Sequence, residues 1–194
     1  MNDALALLEL DSVALGLRTI DLMVKRAEVK VLEANLVEPG KFLILYSGPV
    51  AETQESRDAA VEFTGASLLN EMLIPHVHPD LLQGLYGNEE HLSGDEYDCL
   101  GVVETRMVCG ALLACDRALK DADVRLAGIR LTGGLAGRAY FVIYGTQHDV
   151  DEGIAVSVKA AEAFRGVHRT ELISRPHDDM VRWVLRPHPF TIKQ

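Results

Sequence analysis

The glycine-rich run at residues 132–137, TGGLAG, is the segment of this sequence that most resembles a phosphate-binding loop. A phosphate-binding loop leads from a strand into a helix, so that the backbone N–H groups of the first helical turn face the anion. Here the run leads into residues 138–144, which are predicted to form a strand, and it lacks the Gly-Lys-Ser/Thr ending. The run therefore favours a turn between two strands over a nucleotide site.

Histidine, glutamate and cysteine side chains offer three further possibilities for chemistry. His76 and His78 are two residues apart and could share a metal ion, but the sequence places no third ligand. Glu9 and Glu104 could act as paired acids, yet they hold matched places in two copies of one pattern, which favours structural roles. Neither a CxxC spacing nor an adjacent base accompanies the three cysteines, which are Cys99, Cys109 and Cys115. The sequence therefore predicts neither an enzyme nor a disulfide framework.

The two halves of the chain are rough copies of each other. LLELDSVALGLRTIDLMVKRAEVKVL around Glu9 is repeated as VVETRMVCGALLACDRALKDADVRLA around Glu104. A chain that repeats a whole globular unit has two similar surfaces, which suits pseudo-symmetric rings and sheets. A single catalytic cleft gains little from such a duplication.

Each copy begins with a short strand, at 4–10 in the first half, and continues with a helix that has one apolar stripe, because apolar residues recur there three or four apart. The stripe consists of Val13, Leu17, Ile20, Val24 and Ala27 in the first half and of Val108, Leu112, Cys115, Leu119 and Ala122 in the second. Ser12 precedes the first stripe and can cap its helix. We expect both helices to bury this stripe and to pack on their sheets in the same way.

The rest of each half predicts two strands, a second helix, another strand and a short terminal helix. The predicted strands lie at 4–10, 29–36, 41–46, 68–74, 124–131, 138–144 and 170–173, and the later helices at 51–63, 80–85, 150–164 and 178–185. We therefore predict the α+β class, with two tandem ferredoxin-like β-α-β-β-α-β domains and antiparallel sheets. The domains span 1–88 and 98–194, joined by an acidic linker at 89–97.

Charge and hydropathy exclude several classes of protein. The formal net charge is −10, whereas a nucleic-acid partner requires a basic face. No apolar run approaches the roughly 18–20 residues of a membrane span, and the acidic amino terminus does not look like a signal peptide. We expect a cytoplasmic protein in a reducing environment, without nucleic acid or membrane as partners.

Several motifs, in the same order in both halves, resemble bacterial microcompartment shell proteins of the tandem-domain, unpermuted class. The motifs are DLMVKRAEV at 21–29, DRALKDADV at 116–124, EPGKFLILYSG at 38–48, ISRPHDD at 173–179 and the looser IPHVHPD at 74–80. The resemblance implies microcompartment-type domains and a homotrimer that forms a pseudohexagonal tile. Such tiles join other shell proteins edge to edge around a metabolic pathway, and a central pore admits small metabolites.

The resemblance also implies two sets of edge contacts between tiles. The tile-edge residues it indicates are Lys25, Lys120, His76, His78, Arg175 and His177. A lysine near a helix end also suits the helix dipole and can simply be solvated, but its recurrence inside the motif favours the edge role. His76 stands where the second half has Arg175, and a histidine cannot supply the forked donors of a guanidinium. The two kinds of edge are therefore expected to differ.

By the same resemblance, two turns alternate around the pore. The pore-lining residues are Val37, Glu38, Pro39, Gly40, Gly133, Gly134, Leu135 and Ala136. Their glycines expose backbone N–H groups to a passing polar metabolite, and Pro39 favours an extended Glu38. Three copies of Glu38 near one axis would raise their proton affinity or attract a cation. The alternative is that Glu38 only fills a hairpin turn and faces solvent.

Some tandem relatives carry a cysteine just before this Pro-Gly or Ser-Gly, and three such thiolates can hold an iron–sulfur cluster. This chain has Glu38 there, and a carboxylate is a poor replacement for thiolate. We therefore predict no cluster, no other cofactor and no bound metal. Two alternative functions stay open from the sequence: a trimeric small-molecule-binding or sensor protein, and a metal- or electron-carrying pore protein.

Overall fold

The chain forms two compact units, Met1–Val77 (unit 1) and His78–Gln194 (unit 2). The structure is a computed structural model that describes residues 4–87, 98–131 and 133–184. The strands are β1 (Ala4–Leu10), β2 (Lys30–Val37), β3 (Lys41–Gly48), β4 (Leu68–Ile74), β5 (Cys99–Thr105), β6 (Arg125–Arg130), β7 (Ala139–Gly145) and β8 (Val167–Ser174). The helices are α1 (Val13–Arg26), α2 (Val50–Thr64), α3 (Pro79–Leu85), α4 (Val108–Asp121), α5 (Gln147–Ala161) and α6 (Asp178–Val184).

Each unit contains one four-stranded antiparallel sheet. The strand orders are β2-β3-β1-β4 in unit 1 and β6-β7-β5-β8 in unit 2, which is the ferredoxin-like order in both. Every residue of the central strand β1 is buried, because both faces of that strand are covered. The predicted α+β class and the antiparallel β-α-β-β-α-β repeats are confirmed.

Helix α1 begins as the sequence predicts but buries a different face. The Ser12 hydroxyl accepts a hydrogen bond from the Leu15 N–H at 3.3 Å and caps the helix. The face that α1 buries contains Gly16, Thr19 and Met23, whereas most of the predicted stripe lies outside the core. Small residues allow this close packing: a Cβ at Gly16 would lie 2.2 Å from Cδ1 of Phe42.

The expectation that this stripe is buried is therefore wrong for unit 1. Val13, Leu17 and Val24 are exposed, Ile20 is half-buried, and of the stripe only Ala27 is buried. In unit 2 the counterparts of the buried α1 face, Ala111, Ala114 and Ala118, are also buried, and so is most of the stripe. Helix α4 is thus buried on more sides than α1.

Helix α3 belongs to unit 2, although the sequence pattern grouped it with the first half. The unit boundary lies between Val77 and His78, and α3 lies against α4 and β6. The predicted linker at 89–97 lies outside the described residues, so the domain boundaries stay a prediction. Among the described helices, none is long and apolar enough to cross a membrane.

Candidate functional site

The first candidate pore turn, residues 38–40, joins β2 to β3. Val37 is buried at the end of β2, whereas Glu38, Pro39 and Gly40 are exposed. The Glu38–Pro39 peptide bond is cis, and Gly40 has a φ of 74°. A Cβ at Gly40 would meet no heavy atom within 4 Å, so the glycine serves the backbone conformation and not close packing.

The second candidate pore turn, residues 133–137, joins β6 to β7. Gly133, Gly134 and Gly137 have φ values of 85°, 85° and 82°, which glycine adopts without steric cost. The backbone N–H and the Nε–H of Arg138 both donate to the Leu135 carbonyl, at 3.1 and 3.3 Å. The run leads into strand β7 and not into a helix. The interpretation as a turn between strands is confirmed.

In each unit, the cation that directly follows the turn forms an ion pair with a glutamate on the central strand of the sheet. We call this ion pair the tie of that turn. In unit 1, Lys41 Nζ lies 2.8 Å from Glu9 Oε2, and Asn70 Nδ2 donates to the same oxygen at 3.1 Å. In unit 2, Arg138 Nη1 lies 2.5 Å from Glu104 Oε1. Glu9 and Glu104 are thus each neutralised inside their own unit, which fits the structural roles expected of them.

The two ties differ in burial. The Glu9 side chain has no exposed area, and its Oε1 has no hydrogen-bond partner in the described part of the chain. The Glu104 side chain is 26% exposed. The sequence prediction did not single out Lys41 or Arg138. The signal that could have found them is a cation placed directly after each turn in both copies.

The two candidate edge lysines make the same ion pair in different surroundings. Lys25 Nζ lies 2.6 Å from Asp21 Oδ2, and Lys120 Nζ lies 2.6 Å from Asp116 Oδ2. The Lys25 side chain is 72% exposed, whereas the Lys120 side chain is only 29% exposed and that of Asp116 is buried.

Asp116 has a second partner that explains its burial. Its Oδ1 accepts a hydrogen bond from the backbone N–H of His78 at 2.8 Å, at the start of α3. The start of α3 is therefore hydrogen-bonded to Asp116, the same α4 side chain that pairs with Lys120.

The histidines of the candidate edges cap the short helices α3 and α6. Nδ1 of His78 accepts from the Asp80 N–H at 3.2 Å, and Nδ1 of His177 accepts from the Asp179 N–H at 3.1 Å. The preceding edge residues His76 and Arg175 are exposed and share a left-handed backbone, with φ values of 54° and 48°. The sequence prediction missed the capping role, which the shared His-x-Asp spacing could have indicated.

The histidines and cysteines form no cluster that could bind a metal within residues 4–87, 98–131 and 133–184. Cys99, Cys109 and Cys115 are all buried. Burial raises the pKa of the Cys115 thiol well above its ordinary value, and nearby Asp116 raises it further. Burial also raises the pKa of Cys99, partly offset by its hydrogen bond to Ser174. The thiols of Cys99 and Cys115 therefore stay protonated at neutral pH and are poor nucleophiles or ligands.

Comparison with known proteins identifies what kind of protein carries these two units. The BMC domain model matches the chain twice, at residues 4–77 and 99–176. The chain belongs to the BMC-domain family of bacterial microcompartment shell proteins. It is 33% identical to the bacterial microcompartment shell protein PduT of Citrobacter freundii, over 94% of this chain and 97% of PduT. The resemblance inferred from the motifs is confirmed.

Other members of the family match either the whole chain or a length of one unit. The crystal structure of a microcompartment protein from Desulfitobacterium hafniense superposes with a TM-score of 0.82 and 31% identity, covering 94% of this chain and 99% of that one. The carboxysome shell protein CcmK2 of Thermosynechococcus vestitus is 31% identical over 83 residues, which is 42% of this chain and 79% of CcmK2. This BMC protein is therefore a tandem shell protein, and its role in the microcompartment shell is structural.

The candidate site residues are divided between the two units. The turn at 37–40 belongs to unit 1 and the turn at 133–136 belongs to unit 2, and each lies between the two strands on one side of its sheet. Lys25 and Lys120 lie in the last turns of α1 and α4. The histidines and Arg175 lie where β4 and β8 lead into the short helices.

Proposed function

We propose that three copies of this tandem shell protein form a pseudohexagonal trimer in which unit 1 and unit 2 alternate around a three-fold axis. The observation that carries this proposal is the duplication: both units have the same strand order and an exposed glycine-bearing turn at the same place in the sheet. Six similar units suit a near-sixfold ring, and three chains supply six units. The trimers join other shell proteins edge to edge in the shell of a cytoplasmic microcompartment.

The central pore is built from the two turns, and small polar metabolites pass through it. The turn at 38–40 contributes Glu38, and the turn at 133–136 contributes exposed glycines with left-handed backbone. Three copies of each turn would surround the axis with carboxylates and backbone N–H groups. Such a constriction favours polar solutes that exchange water for these hydrogen bonds, and its carboxylates favour cations over anions.

The ties at the base of the turns support a pore of fixed shape. Lys41 and Arg138 each connect the residue after a turn to an acid on the central strand of the sheet. A tip that projects from a rigid sheet with a fixed base holds its exposed groups at constant positions. That is the property a selective constriction needs.

The tile edges are formed by Lys25, Lys120 and the segments around His76 and Arg175. Lys25 is far more exposed than Lys120, and the segment of unit 2 has the guanidinium of Arg175 where the segment of unit 1 has the imidazole of His76. The edges formed by unit 1 and unit 2 are therefore unequal. Unequal edges give the tile a preferred orientation relative to its neighbours.

We further propose that the protein is not an enzyme and carries no cofactor. Its homologues are structural shell proteins. Glu38 stands where some tandem relatives place a cysteine, and a carboxylate does not replace a thiolate as an iron–sulfur ligand. The three cysteines elsewhere in the chain are buried, and the described residues contain no group of three or more side chains that could bind a metal ion.

The proposal is tested by native mass spectrometry together with electron microscopy of the purified protein. We expect a mass of three chains and extended sheets or tubes. The Lys25→Ala/Lys120→Ala variant should keep the trimer and lose the sheets. The matched control is Lys30→Ala/Lys159→Ala, which removes one exposed lysine from each unit away from the proposed edges and should tile normally.

Three results would contradict this function. Normal sheets from the Lys25→Ala/Lys120→Ala variant would refute the edge assignment. A discrete trimer that binds a small molecule tightly and never tiles would favour a binding or sensor protein. Bound iron with visible absorbance would favour an electron-carrying pore.

A further inference from the structure

A stripe of helix α1 exposes apolar side chains to solvent in unit 1. The stripe consists of Val13, Leu17, Asp21 and Val24, which are three or four apart and share one side of the helix. Its apolar members are exposed, Leu17 at 58%, and Leu36 on β2 is exposed as well. We call these four helix residues the α1 stripe; it differs from the stripe predicted from the sequence in having Asp21 and in leaving out Ile20 and Ala27. An apolar stripe on an amphipathic helix is normally covered.

The matching stripe of unit 2 is buried. Leu112, the counterpart of Leu17, has no exposed area, and Asp116, the counterpart of Asp21, is 1% exposed. The counterparts of Val13, Val24 and Leu36 are also buried, and they are Val108, Leu119 and Leu131. The two units thus have similar residues at these positions, but only in unit 2 are they buried.

Helix α3 lies on this buried side of unit 2. Its first hydrogen bond joins the His78 N–H to Asp116 Oδ1 at 2.8 Å. Near its other end, a Cβ at Gly84 would lie 2.6 Å from Cδ2 of Leu126 on β6, which shows how closely α3 approaches. The short helix α3, which begins with the capping residue His78, therefore packs on the stripe of α4 and on strand β6.

Helix α6 begins in the same way as α3. His177 caps it as His78 caps α3, and Arg175 repeats the left-handed backbone of His76. In the described part of the chain, neither the His177 N–H nor Oδ1 of Asp21 takes part in a hydrogen bond. These two groups are the counterparts of the pair that joins α3 to α4.

We propose that the α1 stripe is the docking surface for the segment His177–Val184 of a second copy of this chain, with the His177 N–H donating to Asp21 Oδ1. Met180 and Val184 pack against the apolar cluster of their own unit, so the segment stays on its unit and offers its outer side. This inference rests on the proposed trimer and names the contact that builds it.

The contact is heterologous, because the end of one chain meets the start of the next. Repeated contacts of this kind close into a ring if each step rotates by a third of a turn. Inside each chain α3 supplies the same contact to unit 2, so every one of the six units in the ring would carry one short helix. The closed ring would leave no α1 stripe exposed.

Cysteine cross-linking tests the contact and its direction. The pair Asp21→Cys/His177→Cys should give covalent dimers and trimers on a non-reducing gel, which disappear on reduction. The matched control is His78→Cys/Asp116→Cys, which should cross-link within one chain, because these two residues already touch. The native cysteines are buried and do not compete.

The outcomes separate this inference from the proposed function. A cross-link confined to single chains, or none at all in a protein that native mass spectrometry finds trimeric, would overturn the docking contact and leave the trimer standing. An unmodified protein that is monomeric would overturn both.

A charge placed on the stripe gives a second test that does not depend on disulfide geometry. Leu17→Glu lies on an exposed helix position and should fold normally, but it should raise the protein concentration needed for half-assembly by about a hundredfold. Leu69→Glu is the control: Leu69 is also exposed, but its counterpart His168 is exposed too, so assembly should not change. A Leu17→Glu protein that assembles like the unmodified chain would refute the docking surface.

Discussion

Replacing Lys41 with methionine tests the buried ion pair at the base of the first turn. Methionine keeps most of the side-chain length but removes the charge that lies 2.8 Å from Glu9 Oε2. Glu9 would then be a fully buried carboxylate with one neutral donor, Asn70, at 3.1 Å. Removing one partner of a buried pair costs about 3–5 kcal/mol. Because Asn70 remains and the Lys41 side chain is 15% exposed, we expect a loss of about 3 kcal/mol of unfolding free energy.

The second unit supplies the matched control for this prediction. Arg138→Met removes the equivalent cation, but Glu104 is 26% exposed and Arg138 is 36% exposed, so water can replace the partner. We expect a cost of about 0–1 kcal/mol there. The double variant Glu9→Gln/Lys41→Met removes the uncompensated charge and should recover most of the stability lost in Lys41→Met.

Urea unfolding followed by far-UV circular dichroism measures these differences. All variants are compared at one protein concentration, because assembly makes apparent stability depend on concentration. A Lys41→Met cost no larger than that of Arg138→Met would refute the argument from burial. A double variant as unstable as Lys41→Met would refute the argument from charge.

Three further predictions concern a thiol, a glycine and the pore. The unfolding free energy should fall above about pH 8.5, by about 1.4 kcal/mol per pH unit for Cys115, because the folded protein keeps a proton that the unfolded thiol releases; urea titrations of Cys115→Ala should lose this contribution and keep that of Cys99, whose pKa is also raised by burial. Gly16→Ala should cost about 1–3 kcal/mol, since its Cβ would lie 2.2 Å from Phe42, and unchanged stability would contradict that packing. Glu38→Gln should fold normally but lower cation over anion permeability in planar bilayers, and equal permeation before and after would count against a pore role.

The fold could be predicted because the duplication supplied two independent copies of one pattern. The same order of apolar runs and turns appeared in both halves, and BMC motifs stood at the same places in that order. The glycine-rich run at 132–137 could be assigned to a strand–strand turn because the first half has a shorter turn at the same position.

The buried face of α1 could not be predicted from hydropathy. Val13, Leu17 and Val24 form the more apolar stripe, but the helix packs on its sheet through Gly16 and Met23. Close approach to the sheet selects small residues, and a hydropathy pattern ranks those below valine and leucine. Val13, Leu17 and Val24 are exposed in unit 1, and hydrophobic periodicity alone does not distinguish an apolar docking surface of the kind proposed above from a buried core face.

The polar ties were missed for a different reason. Glu9 and Lys41 are far apart in the sequence and meet only because β1 pairs with β3 in one particular register. The contact between His78 and Asp116 likewise depends on how α3 packs against α4 within unit 2. Pairs of this kind follow from tertiary packing, which a single sequence does not determine.

Electron microscopy of single assembled particles at side-chain resolution would show the ring, the pore and the docking contact together. We expect a ring of three chains with six similar lobes, in which the turns at 38–40 and 133–136 alternate around an open axis and each α1 stripe is covered by the α6 segment of the neighbouring chain. A lone chain, a two-fold assembly, or a three-fold axis lined by neither turn would contradict it.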